Sequence, residues 1–185
     1  MELTPIPFYF VRHGQTDWNV QKLCQGSTDT PLNDTGIEQA GEARALLADL
    51  KFSTVCCSSL SRARQTAEII TQTLACPLVE MDALQECHFG ELEGKPMTGQ
   101  ALDLLIREGQ QRGGESLEQF QERVVSGINK ALEQPGPVLI VSHGAVFRVL
   151  SLFLGLPQEE SLPNCMPVKF IPPEGPVDRW KVISI

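Results

Sequence analysis

The 185-residue sequence has few of the residues that build metal or disulfide centres. It contains three histidines and six cysteines. The cysteines form no C-x-x-C pair or other zinc spacing, and the H-E-x-x-H motif of zinc hydrolases is absent. We therefore predict reduced, mostly buried thiols and neither a bound metal nor a cofactor.

Basic charge and long apolar runs are also scarce. The formal net charge is −8, which argues against nucleic acid or an anionic membrane as the partner, because both bind basic surfaces. No apolar run approaches the roughly 20 residues of a membrane helix. The N-terminus lacks the basic start and long apolar stretch of a secretory signal. We expect a cytoplasmic protein that holds any anionic ligand in a local basic pocket.

Internal repeats, low-complexity segments and interdomain linkers are absent as well. With 42% hydrophobic and 21% charged residues, the composition is that of an ordinary globular protein. A chain of this length can bury one core without disulfides or metals. We predict a single domain over residues 1–185, and the sequence does not indicate an oligomeric state.

Predicted strands alternate with predicted helices along most of the chain, as apolar runs bounded by turn residues alternate with apolar residues at helical spacing. This order is typical of a three-layer α/β/α sandwich with a mainly parallel central sheet. In the first helix, Ile37, Ala40, Leu47 and Leu50 are expected to share the core face, and Ser61 is expected to cap the second. We predict strands at 8–11, 53–57, 77–81 and 138–141, helices at about 33–50, 61–74, 117–132 and 145–155, and a terminal hairpin or edge from 166–171 and 178–185.

Two predicted strands, FYFVRHG and VLIVSHG, end in His-Gly. The carboxyl ends of parallel strands meet at one edge of a sheet, so His13 and His143 are expected to face each other. A lone histidine is more often structural, but two at equivalent strand ends favour a site. The glycine after each one lacks a Cβ atom, which allows backbone or ligand to approach closely.

Two arginines occupy similar positions. Arg12 precedes His13, and Arg62 starts the helix that follows the second strand. Guanidinium groups bind phosphate oxygens through paired hydrogen bonds, and the helix N-terminus adds attraction for an anion. Arginines and histidines together predict an anion-binding pocket.

The ordered motifs VRHGQTDWN, QG, PLNDTGIEQA, SSLSRARQTA, LQECHFGELEG, GGESLEQF and VSHG resemble the histidine phosphatase superfamily. They cover about three quarters of the chain, from residue 8 to residue 144. The resemblance is to the branch that contains cofactor-dependent phosphoglycerate mutases and small-molecule phosphatases. It implies a phosphoglycerate mutase-like fold with a short cap segment around 94–116.

The resemblance also implies roles for individual residues. His13 is the expected nucleophile, which takes the phosphoryl group as phosphohistidine, and Glu86 is the expected proton donor. Positive and polar groups around the transferring oxygens stabilise their charge. The other catalytic residues implied are Arg12, Arg62 and His143, and the substrate-binding set is Arg12, Asn19, Gln25, Gly26, Arg62 and Gly144.

The sequence departs from the mutases of the family at two places. Mutases follow the acid with Arg-His-Tyr-Gly, whereas Cys87 follows Glu86 here, which removes a cation for a second anionic group. The cap segment is also shorter and lacks paired basic residues. We therefore predict a phosphomonoesterase acting on a small phosphorylated metabolite; alpha-ribazole phosphatases are among the members it resembles. A mutase-type phosphotransferase, a non-catalytic phosphate-binding module and a metal-dependent hydrolase remain as alternatives.

Overall fold

The computed structural model describes residues 1–97, 102–157, 162–175 and 178–185. A mixed sheet of six strands lies at the centre of this part of the chain, in the order β3-β2-β4-β1-β5-β6. β1 to β4 pair in parallel, and β5 is antiparallel to both β1 and β6. The strands are β1 (Phe8–Arg12), β2 (Thr54–Cys57), β3 (Leu78–Glu80), β4 (Val138–Ser142), β5 (Pro167–Ile171) and β6 (Lys181–Ser184).

Helices cover both faces of the sheet. The helices are α1 (Asp17–Val20), α2 (Asp34–Leu47), α3 (Ser61–Thr71), α4 (Leu102–Gln110), α5 (Leu117–Leu132) and α6 (Gly144–Phe153), with 3₁₀ turns at Asp82–Leu84 and Gly90–Leu92. One apolar cluster joins α2 and α3 to the sheet, and another joins α5 and α6 to its opposite face. The predicted three-layer sandwich is therefore confirmed. None of the described helices has the length and apolarity needed to cross a bilayer.

The alternation of side chains along β1 explains why both faces are apolar. Phe8 and Phe10 belong to the cluster of α5 and α6, whereas Val11 belongs to the cluster of α2 and α3. The ring of Phe8 also stacks on that of Phe170 in β5, with centroids 4.7 Å apart. A strand buried on both sides reads as a continuous apolar run, which is how FYFV appears in the sequence.

The predicted core face of the first helix is wrong at Ile37, which is 41% exposed. Leu50 lies beyond the end of α2 at Leu47 but still packs against the apolar cluster of α2 and α3. The buried face contains Gly36, Ala40, Ala43 and Leu47. These small residues let the helix pack closely within the apolar cluster that it shares with α3 and the sheet, and Ile37 lies outside this contact face.

The predicted cap of the second helix is also wrong. Ser61 is the first residue of α3, and the N-cap position belongs to Leu60, which makes no side-chain capping bond. Oδ1 of Asp29 accepts a hydrogen bond from the backbone N–H of Ser61 at 2.7 Å instead. A carboxylate from another loop therefore satisfies the start of the helix.

The cap segment predicted around 94–116 contains α4, which had not been predicted as a helix. Residues 98–101 of that segment lie outside the described residues. At its end, Ser116 and Gln119 form a capping box that starts α5. The terminal hairpin is confirmed by the antiparallel pairing of β5 with β6.

Candidate active site

The two strand-end histidines lie side by side. β1 and β4 are neighbours, and their register pairs Arg12 with Ser142, so His13 and His143 are the next residues on adjacent strands. Their ring centroids are 5.2 Å apart, with 59° between the planes. Both are buried, at 2% and 0% exposure. Two histidines 130 positions apart in the sequence thus form one centre.

Hydrogen bonds hold the His13 ring and its backbone. Nδ1 of His13 lies 2.7 Å from the carbonyl oxygen of Gly14, so this nitrogen carries the proton and donates it. The backbone N–H of His13 donates to the carbonyl of Ser142 at 2.9 Å, and its own carbonyl accepts from Nδ2 of Asn164 at 2.7 Å. In this tautomer Nε2 has a free lone pair, as a nucleophile requires.

Both rings are kept neutral. Burial lowers the pKa of His13 well below its ordinary value, and the positive charges of Arg62 and Arg12 lower it further. Burial and Arg62 lower the pKa of His143 in the same way. At neutral pH, His13 is therefore an uncharged imidazole that can attack without prior loss of a proton.

Two guanidinium groups flank the histidines. Arg62 is fully buried and donates from Nη1 to the carbonyl of Thr28 at 2.9 Å and from Nη2 to that of Gly26 at 2.8 Å. Burial lowers the pKa of Arg62 to about 10, which leaves it charged at neutral pH. Arg12 donates from Nη1 to the carbonyl of Leu162 at 2.8 Å. The carbonyl contacts orient both cations without neutralising them.

Glu86 faces these cations from the loop after the first 3₁₀ turn. Its Oε1 accepts from the backbone N–H of Cys87 and its Oε2 from that of Ala145, each at 3.1 Å. Burial raises the pKa of Glu86, although both hydrogen bonds and the charge of Arg62 act in the opposite direction. A carboxyl group that retains its proton to higher pH than usual can serve as a general acid.

A cavity of about 140 Å³ joins these groups. Every predicted site residue except His143 lines it, and His143 is fully buried next to His13, with Nε2 2.7 Å from Oγ of Ser58. The lining residues are Arg12, His13, Asn19, Leu23, Cys24, Gln25, Gly26, Arg62, Glu86, Phe89, Met97, Leu102, Leu105, Gly144, Ala145 and Arg148. The structure therefore brings the whole predicted set to one place.

The side-chain oxygens of the two predicted amide residues, Asn19 and Gln25, already accept hydrogen bonds within the protein. Oδ1 of Asn19 accepts from N–H and Oγ1 of Thr16, at 3.1 and 3.2 Å, in the capping box of α1. Oε1 of Gln25 accepts from Oγ1 of Thr16 at 3.0 Å and from Oγ1 of Thr30 at 2.6 Å. Their amide nitrogens are the groups left to donate to a ligand.

Glycines at the two strand ends permit close approaches of protein, as expected. A Cβ atom on Gly14 would lie 2.4 Å from the carbonyl oxygen of Gly36 in α2. A Cβ atom on Gly144 would lie 3.3 Å from Nε of Arg12. The first glycine lets α2 pack on the loop that follows His13, and the second leaves room for the Arg12 guanidinium.

Sequence reasoning missed several residues that hold the site. Oγ1 of Thr66 accepts from the N–H of Gly14 at 3.0 Å and donates to the carbonyl of Arg62 at 2.7 Å, which connects the loop after His13 to α3. Ser58 contacts His143, and Asn164 contacts His13, as described above. The position of Ser58 just after β2 was a usable signal, whereas nothing in the sequence indicated Asn164.

Among the residues that sequence reasoning missed, Glu93 makes the most hydrogen bonds of those described here. Its Oε1 accepts from the N–H and Oγ of Ser27, each at 2.9 Å, from the N–H of Phe89 at 3.1 Å and lies 3.0 Å from Nδ1 of His88. Its Oε2 accepts from Oγ1 of Thr28 at 2.5 Å. Glu93 thus fixes the loop whose carbonyls hold Arg62. His88 is part of this network, at the half-exposed edge of the site.

Within the described residues, no group of three or more His, Cys, Asp or Glu side chains could hold a metal ion. The described cysteines are unpaired thiols. The charges that converge on the cavity are instead those of arginines and one carboxyl group.

Comparison with known proteins identifies the family. The model of the histidine phosphatase superfamily (branch 1) matches residues 8–167. The chain belongs to this superfamily. An uncharacterized phosphatase of Bacillus subtilis, PhoE, is 42% identical over 146 residues, which are 76% of this chain and 72% of that protein. The probable phosphoglycerate mutase GpmB of Salmonella choleraesuis is 34% identical over 80% of this chain and 75% of that one.

A solved histidine phosphatase-like structure also superimposes on the chain. The alpha-ribazole phosphatase from Shigella flexneri has a TM-score of 0.70 and 27% identity, and the match covers 89% of this chain and 90% of that one. The phosphoglycerate mutase-like fold predicted from the motifs is thereby confirmed. The relatives carry both phosphatase and mutase names, so their names alone do not distinguish hydrolysis from phosphoryl transfer.

Proposed function

We propose that this protein is a phosphomonoesterase that hydrolyses a small phosphorylated metabolite through a phosphohistidine on His13. The observation that carries the proposal is the fixed tautomer of His13, whose Nε2 lone pair is free in a cavity that Arg12, Arg62 and Glu86 also line. Phosphoryl transfer depends mainly on alignment and charge stabilisation, which this arrangement supplies.

In the first step, the lone pair of His13 Nε2 attacks phosphorus and the bond from phosphorus to the ester oxygen breaks. The protonated carboxyl of Glu86 donates its proton to the leaving oxygen, so an alcohol departs. The phosphorylated ring becomes cationic, and its Nδ1–H continues to donate to the carbonyl of Gly14. Arg12, Arg62 and His143 stabilise the charge on the phosphoryl oxygens.

In the second step, water attacks the phosphohistidine. The Glu86 carboxylate takes a proton from the water as the bond between phosphorus and Nε2 breaks. Inorganic phosphate leaves, His13 returns to its neutral tautomer and Glu86 is protonated again. No metal or cofactor takes part in either step, and the residues in this scheme are those the family resemblance implies.

Hydrolysis is favoured over mutase chemistry by the residue after Glu86. Cys87 is fully buried, and its Sγ lies 3.8 Å from the carbonyl of His88. It offers no cation to the cavity, and the high pKa that burial gives this thiol keeps it uncharged. The naming of PhoE as a phosphatase supports the same choice. We further expect a cytoplasmic, single-domain protein.

The test is a rapid-quench labelling experiment with a phosphoryl-labelled ester. We expect an acid-labile label on His13, with loss of label and of 4-nitrophenyl phosphate turnover in His13→Ala, while His88→Asn still becomes labelled. Label on another residue would overturn the nucleophile assignment. Turnover abolished by EDTA would indicate metal-dependent hydrolysis, and binding without turnover would indicate a phosphate-binding module.

The substrate is to be sought in a panel of phosphomonoesters. The panel should include alpha-ribazole phosphate, because of the Shigella structure, and 3-phosphoglycerate. Isomerisation of 3-phosphoglycerate at a rate above its hydrolysis would favour the mutase alternative.

A further inference from the structure

Arg148 is a third arginine in the cavity that the proposed reaction does not use. It lies on α6 four residues after Gly144, which places it one helical turn from the catalytic edge of the sheet. It lines the same cavity as His13 and Glu86. It is absent from the ion pairs of the described residues, which join His88 to Glu93, Arg112 to Glu108 and Arg123 to Glu115.

The Nε atom of Arg148 is buried without a hydrogen-bond partner among the described residues. Four buried side-chain nitrogens in that part of the chain share this condition: Nε of Arg12, Nε of Arg62, Nδ1 of His143 and Nε of Arg148. The first three belong to the phosphate centre. A buried charged donor is costly unless it is paired, so the unpartnered Nε of Arg148 in a cavity-lining side chain favours a ligand as the partner of this guanidinium.

Arg148 nevertheless differs from the two arginines that act most strongly on His13 and Glu86. Arg62 and Arg12 are the cations that shift the pKa values of His13 and Glu86, and Arg148 is not among the causes of either shift. The cavity lining also contains apolar side chains, two of them on the helix of the cap segment: Leu23, Phe89, Met97, Leu102 and Leu105. The cavity therefore combines the cations around His13 with apolar walls and with the guanidinium of Arg148, whose Nε has no partner among the described residues.

We propose that Arg148 binds an anionic group on the leaving-group portion of the substrate. The inference rests on the proposed function, since it assigns the part of the ester that departs as the alcohol. The substrate class is a phosphomonoester with a mainly apolar skeleton and one carboxylate or second phosphate at its far end. A guanidinium binds either anion by donating paired hydrogen bonds, and the apolar walls strengthen the contact by excluding water.

The experiment compares three aryl esters that differ at the position para to the phosphate: 4-carbamoylphenyl phosphate, 4-carboxyphenyl phosphate and 1,4-phenylene bisphosphate. We expect the wild type to prefer at least one anionic ester over the carbamoyl ester by about tenfold in kcat/KM. Arg148→Met should remove this preference, and Arg148→Lys should keep part of it. The exposed Arg64→Met is the matched control and should keep the wild-type ratio.

A binding measurement separates this inference from the proposed function. Calorimetry with 4-carboxybenzylphosphonate and 4-carbamoylbenzylphosphonate, which cannot be hydrolysed, should show the same preference and the same loss in Arg148→Met. The two anionic esters distinguish a carboxylate from a phosphate as the natural group. Equal ratios in the wild type and Arg148→Met, with turnover intact, would overturn the role of Arg148 alone. Selective phosphonate binding without formation of a phosphohistidine would support the anion-binding role of Arg148 and overturn the proposed phosphohistidine reaction.

Discussion

Replacement of Glu86 by glutamine tests the acid role most directly. The two oxygens of Glu86 accept from the N–H groups of Cys87 and Ala145, each at 3.1 Å. A glutamine has one acceptor oxygen, so its NH₂ group must face one of these donors. The lost bond costs about 0.5–1.5 kcal/mol of stability. This structural cost is the same for every substrate, whereas the effect of losing the donated proton on the rate depends on the leaving group.

The difference between substrates therefore isolates proton transfer. General acid catalysis contributes typically 10²–10⁴-fold when the leaving group is a poor one, such as an alkoxide. 4-Nitrophenolate leaves with little need of a proton. We expect Glu86→Gln to lower kcat for an alkyl phosphate at least about tenfold more than for 4-nitrophenyl phosphate. Stopped assays with both esters, and the exposed Glu68→Gln as control, measure this ratio.

The pH profile gives a second measure of the same group. Glu86 must be protonated to donate, and burial raises its pKa, so the alkaline limb of kcat/KM lies above the ordinary carboxyl pKa of about 4.3. Glu86→Gln should lose this limb and retain any limb due to the substrate phosphate. Equal slowing of both esters, or an unchanged alkaline limb, would refute the reasoning.

Two further predictions concern the support of the site. Glu93→Ala should raise KM and lower kcat/KM roughly tenfold to hundredfold, because it releases the loop that orients Arg62. Glu93→Gln should recover most of this loss. If Glu93→Gln recovers stability but not KM, the positioning role is contradicted. Burial depresses the pKa of His13 in the folded protein, so below about pH 6.5 the unfolded chain binds a proton at this residue that the folded protein does not. The free energy of unfolding therefore falls with pH, by up to about 1.4 kcal/mol at pH 5.5 for this residue. Urea unfolding at pH 7.5 and 5.5 should show a smaller acid loss in His13→Asn, and identical losses would exclude a neutral buried His13.

The position of the candidate site at one edge of the sheet could be predicted from the sequence because its determinants are local. An apolar strand ending in Arg-His-Gly and a second ending in His-Gly indicate where chemistry lies, and parallel pairing then brings His13 and His143 together. The motifs also identify Glu86 although it lies in an irregular loop. These residues share the feature that strand ends and motif order fix their positions, without any knowledge of packing.

Features that depend on packing were not predictable in this way. The core face of α2 contains the small residues Ala40 and Ala43 and leaves the larger Ile37 exposed, so the size of the apolar side chains did not indicate which face is buried. The cap of α3 comes from Asp29, 32 positions earlier, so no local pattern records it. Arg148 did leave a signal, since it is the one charged residue in the segment AVFRVLSLFLG.

The place of β1 in the sheet determines when the candidate site can form. β1 precedes the other described strands in the chain, yet its two neighbours are β4 and β5, at residues 138–142 and 167–171. Arg12 and His13 also receive contacts from Leu162 and Asn164. His13 therefore leaves the ribosome well before the residues that surround it in the folded protein. The proposed site can assemble only after residues 138–171 have been synthesised, so a product that ends before them would lack the neighbours of β1.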